Sequence, residues 1–168
     1  MKRNLYTSKG GFTLIETIVY LALYTIITLG ALVAVYGLFE SDAHNETAAY
    51  VEEEGDFLIG KIDWVLSDTV SVQSPVDTGG LLSVTHSDGS VVRIQNIESD
   101  IRIQEGVARS ETLNNSNVSV VDLVFIHTLS TADGLDPESV LASFTLYATT
   151  SDGHVLSRDF STLEYIRK

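Results

Sequence analysis

One acidic residue stands inside a long apolar stretch. Residues 12–39 read FTLIETIVYLALYTIITLGALVAVYGLF, and Glu16 is the only charge among them. A carboxylate in hydrocarbon costs a few kcal/mol even on lenient insertion scales, and such residues usually have partners. Two outcomes are open to Glu16. It can snorkel to the interface, lying within about two turns of the helix start, or it can pair with a positive group supplied by another chain. Gly10 and Gly11 stand just ahead of the run. Glycine leaves the backbone unhindered, and a protease needs an extended backbone in its cleft. A secretory peptide is cut after its apolar core, at a small-x-small site. The best such spacing here, Ala31 and Ala34, does not make a convincing site.

Other chemistry is sparse. His44, His86, His127 and His154 share no ligand-like interval such as i, i+4. His127 and His154 fall in expected strands, where a lone histidine is usually structural. There is no Gly-x-Ser-x-Gly, no phosphate loop and no cysteine. Asp133, Asp136 and Glu138, with Gly134 among them, offer oxygen ligands of the kind calcium takes. Their spacing does not fit an EF-hand, and the plainer reading is an acidic turn without metal. Asn-x-Ser/Thr sequons start at Asn45, Asn114 and Asn117; they matter only where glycosylation machinery exists. No catalytic residue and no cofactor is expected.

The element that carries Glu16 comes next. Residues 17–39 are uncharged and as a helix would span roughly 34 Å at about 1.5 Å per residue. A hydrocarbon core is ~30 Å thick. A core helix of a water-soluble domain would repeat polar residues every third or fourth position, and this run does not. The run therefore reads as a membrane span. Lys2, Arg3 and Lys9 precede it with no acid among residues 1–11, so the positive-inside rule holds that end in the cytoplasm and sends everything after residue 39 to the outer side.

With those residues in hand, Gly11-Phe12-Thr13-Leu14-Ile15-Glu16 after a short basic leader resembles the class III signal of type IV prepilins and type II secretion pseudopilins. The resemblance implies cleavage after Gly11 by a prepilin peptidase and N-methylation of the new terminus, Phe12. It implies that Glu16 is linked to the N-terminal amine of a neighbouring subunit during assembly. It also implies an inner-membrane assembly platform and other pilin or pseudopilin subunits as partners. Major pilins often carry a proline near the middle of this helix. Here the neighbourhood is Thr28-Leu29-Gly30-Ala31-Leu32-Val33, which points to a minor subunit, with the J-type minor pseudopilins the closest in layout. The alternative is a single-span anchored extracytoplasmic binding domain, which would need neither Gly11 nor Glu16.

Composition sets further limits. The chain has 168 residues and a net charge of −13. Loss of residues 1–11 would remove Lys2, Arg3 and Lys9 and take it to −16. So acidic a body repels phosphate backbones, and no nucleic-acid partner is expected. Without cysteine no disulfide can staple the domain, which must rely on its own core.

The expected fold is α+β and pilin-like, a long N-terminal membrane-spanning helix packed on an antiparallel sheet. The expected parts are a leader (1–11), a span or filament-core helix (12–39), an amphipathic helix half (40–69) and a β head (70–168). One helix should run from about residue 13 to about 68, with bends at Gly30, Gly37 and Gly55. Leu58, Ile62, Val65, Leu66 and Thr69 form its apolar stripe, which Phe57 and Trp64 would extend. The acids at 52–56 read as a solvated face, with contact to a basic patch on a neighbouring subunit as the alternative. Strands are expected over 81–86 and 90–97 with Ser87-Asp88-Gly89 between them, at 101–104, and over 118–129, 140–149 and 154–165. Residues 105–117 read as loop. Together these give one sheet of about four to six strands, with Phe144, Leu146 and Ala148 on one face.

Overall fold

The computed structural model describes residues 11, 13–130, 137–151 and 153–166. The chain falls into two units, Met1–Asp42 and Ala43–Lys168. Helix α1, Leu14–Ser67, is continuous through both, close to the extent its uninterrupted, proline-free sequence predicts.

In the first unit Thr13 caps the helix. Its Oγ1 accepts from the Glu16 backbone N–H at 3.3 Å, and its carbonyl accepts from the Thr17 N–H at 3.2 Å. The apolar side chains that follow, from Leu14 to Phe39, are exposed. Thr25 and Thr28 return their hydroxyl protons to the carbonyls of Leu21 and Tyr24, both at 2.8 Å. A helix satisfies its own backbone groups, and these threonines satisfy their side chains the same way. The helix is long and apolar enough to cross a membrane.

Among its described residues the second unit holds the rest of α1 and nine strands: β1 (Thr69–Ser74), β2 (Thr78–Gly79), β3 (Leu81–His86), β4 (Val91–Ile97), β5 (Asp100–Glu105), β6 (Glu111–Thr112), β7 (Val118–Thr128), β8 (Ser139–Thr149) and β9 (Val155–Tyr165). All ladders are antiparallel. They form two sheets, ordered β1-β3-β4-β5-β6 and β2-β7-β8-β9, and this corrects the single sheet expected. The eleven-residue β7 has β2 on one side and β8 on the other. The pairing with β2 covers only Phe125 and Ile126 of β7, and the strands β3, β4 and β5 build a ladder of their own with β1 and β6.

The buried face of α1 recurs at three- and four-residue intervals through Val51, Gly55, Leu58, Ile62 and Val65, with Leu66 beside them. It joins Leu82, Val84, Val92, Ile94, Ile101 and Ile103 of one sheet and Val120, Phe125, Ala142, Phe144 and Leu146 of the other in one core. The expected face of β8 is therefore the observed one. Gly55 is a seat for an aromatic ring: a Cβ there would fall inside the ring of Phe160. That ring stacks on Phe144 with centroids 5.6 Å apart. Phe57 and Trp64 do not extend the buried face. Each is about half exposed. Trp64 instead meets His86 edge-on and carries the Lys61 Nζ 4.0 Å from its ring centroid.

The β3–β4 hairpin closes the end of α1. His86 Nε2 lies 2.9 Å from the Val65 carbonyl, which also accepts from Thr69 Oγ1 at 2.9 Å. Ser87 donates to Asp68 through its N–H and its hydroxyl. The last helical carbonyls thus find partners without a terminal glycine. In the hairpin turn Gly89 takes φ 83°, and Asp88 Oδ1 accepts the Ser90 N–H at 2.8 Å.

Candidate membrane and assembly site

Glu16 lies in the first turn of α1, three residues after the capping Thr13. Thr-x-x-Glu is the pattern of a capping box, in which the acid reaches back to the cap N–H. Here one carboxylate oxygen, Oε1, instead accepts from the Tyr20 hydroxyl at 3.2 Å, one turn further along the helix. An acid in the first turn also meets the positive end of the helix dipole. Gly11 is exposed and outside any helix or strand, and a Cβ added to it would meet nothing. Phe12, Gly10 and the basic residues Lys2, Arg3 and Lys9 lie outside the described residues.

The histidines and the acidic turn go different ways. His127, on β7, is buried, with Nδ1 3.1 Å from the Pro75 carbonyl and Nε2 2.9 Å from Glu138 Oε1. The two ring nitrogens thus join the Pro75 carbonyl to the Glu138 carboxyl group. Glu138, the third of the candidate calcium carboxylates, thus directs an oxygen to His127 and is itself buried. Asp133 and Asp136 lie outside the described residues. Among the described residues no group of three His, Cys, Asp or Glu side chains could hold a metal ion. His86 serves the helix end, as above.

The acids after the apolar run are not only hydrated. Glu54 Oε1 accepts the Asn115 N–H at 2.7 Å, Asp63 Oδ1 accepts the Thr162 hydroxyl at 2.7 Å, and Glu52 lies 3.6 Å from Arg158 Nε. The expected loop at 105–117 contains the short strand β6 and a buried anchor, Asn114. Asn114 accepts the Ile101 N–H at 2.8 Å and donates to the Val118 carbonyl at 3.0 Å. A buried side chain so engaged is no acceptor for a glycan, which removes one of the three sequons.

Beside that loop is an open cleft of about 560 Å³, lined by Glu46, Thr47 and Tyr50 of α1, Ser116, Asn117 and Ser119, and the Tyr147 end of β8. Its wall includes Tyr50, whose hydroxyl oxygen is buried with no hydrogen-bond partner.

No family model, curated protein or solved structure matches the chain.

Two side-chain partnerships escaped the reading of the sequence. Tyr20 follows Glu16 by four residues, a spacing that places the two on one helix face, so its part in the site was legible. The His127–Glu138 pair needed the β7–β8 register, which sets His127 opposite Val140 and Thr128 opposite Ser139.

Proposed function

We propose that this chain is a minor pilin or pseudopilin subunit, inserted in the cytoplasmic membrane as a prepilin and then assembled into a type IV pilus or type II secretion pseudopilus. The observation that carries the reading is the lone carboxylate of Glu16 in an apolar helix, directly after Gly11-Phe12-Thr13-Leu14-Ile15. In this reading the N-terminus is cytoplasmic and the β domain extracytoplasmic. A prepilin peptidase cuts after Gly11, and Phe12 becomes the N-methylated terminus.

The mechanism is assembly rather than catalysis. In the bilayer the apolar side chains contact lipid, and in a filament they contact other helices, so the exchange is close to neutral in hydrophobic terms. Glu16 supplies the selectivity. Buried alone it is costly, and buried against the Phe12 amine of a neighbour it is compensated. A subunit out of register leaves the charge unpaired and is rejected.

The mass of the mature chain isolated from membranes tests this. Loss of residues 1–11 with gain of one methyl group supports it, and an intact Met1 terminus overturns it. The cleft beside Tyr50 favours a second reading, a membrane-anchored binding domain, which the intact terminus would leave standing.

A further inference from the structure

The apolar part of α1 is not uniform around its axis. Thr13, Glu16, Thr17, Tyr20, Tyr24 and Thr28 follow one another at intervals of one to four residues and share one helix face. On that face the threonine hydroxyls are turned inward to the helix's own carbonyls: Thr17 donates to Thr13 and Thr28 to Tyr24. A side-chain to side-chain hydrogen bond along this face runs from the Tyr20 hydroxyl to Glu16 Oε1 at 3.2 Å. It draws the carboxylate toward the C-terminal side, into the apolar run, rather than back toward the Thr13 N–H and the interface.

We infer that Tyr20 is the positioning residue for Glu16. Its hydroxyl holds one carboxylate oxygen inside the span, so that the charge stays at membrane depth with the other oxygen turned to an incoming cation. This rests on the filament reading above and deepens it. A free carboxylate near a helix start would snorkel to water, and a subunit whose charge has left the apolar zone has no register signal to offer. A hydrogen bond to an ionised group is among the stronger single interactions a side chain makes, and it gains strength where water is excluded. Phenylalanine at position 20 keeps the ring and its packing and removes only the donor. Tyr24 lies one turn further on the same face, with no hydrogen bond to Glu16, and is the internal control.

The test has two readouts on the full-length chain in its native membrane. The first is infrared difference spectroscopy of the inserted, unassembled protein, with the Glu16 carboxylate band assigned by its loss in Glu16→Gln. Tyr20→Phe should shift that band, and Tyr24→Phe should leave it in place. The second is the share of chain recovered in sheared filaments at equal membrane insertion and equal leader removal. Tyr20→Phe should lower it about tenfold, the order expected for a lost hydrogen bond to a charged group, and Tyr24→Phe should not lower it. An unmoved band in Tyr20→Phe overturns the inference. So does undiminished recovery of Tyr20→Phe in filaments that exclude Glu16→Gln. If Glu16→Gln itself enters filaments normally, the pairing reading falls, and the positioning role falls with it.

Discussion

At the scale of single residues, three contacts decide how the β domain is held. Gly55 lets the Phe160 ring lie against the helix backbone. Gly55→Ala should destabilise the full chain by about 2 kcal/mol, the usual cost of overpacking a core, seen as a lower denaturant midpoint with unchanged slope. Asn114 ties β5 to the start of β7 through two short hydrogen bonds. Asn114→Ala leaves the Ile101 N–H and the Val118 carbonyl without this partner and should cost about 2 kcal/mol by the same assay. His127 joins the Pro75 carbonyl to Glu138 in a buried site. His127→Ala should cost at least as much, because a carboxylate loses its imidazole. Asp88 carries a pH dependence of its own. The Ser90 hydroxyl, followed by the Ser90 N–H, holds its carboxyl below the ordinary 3.8. A depressed value means its contribution is present above 3.8 and fades as pH falls through the folded value. Asp88→Asn should therefore flatten the acid limb of the stability profile below that pH and lower the neutral plateau slightly and evenly.

At the scale of elements, the helix was the most legible part. An unbroken run without proline and the Leu58-Ile62-Val65-Leu66 part of the expected stripe suffice to fix α1 and its buried face, because helical periodicity is a local property; Thr69, the last residue of that stripe, opens β1 instead. The strands β3, β4, β7, β8 and β9 were legible for a related reason. Runs rich in Val, Ile and Leu lie between Ser-Asp-Gly turns, and Gly89 and Gly153 take the positive φ that such turns require. The partition into two sheets was not legible. It depends on which strand occupies each edge of β7, a non-local matter, and on β2, only two residues long. Gly55 shows the same limit. A glycine in a helix reads as a weak point, and only the packed partner reveals it as a seat. The site divides along the same line: Glu16, Gly11 and the span follow from residue types in order, and so could Tyr20 from its spacing. The His127–Glu138 pair and the Asn114 anchor follow only from three-dimensional register.

At the scale of the whole molecule, charge and apolar surface are separated along the chain. Acids crowd residues 40–56, while residues 17–39 carry none. An acidic body disfavours casual association through its charged surface, so in the filament reading the selective contact falls to the apolar helix and to Glu16. The most direct measurement is the fate of Glu16→Val, compared with wild type in a cell that makes the filament. The account predicts normal membrane insertion and leader removal, with the variant nearly absent from sheared filaments. Recovery of Glu16→Val in filaments at the wild-type share would contradict it.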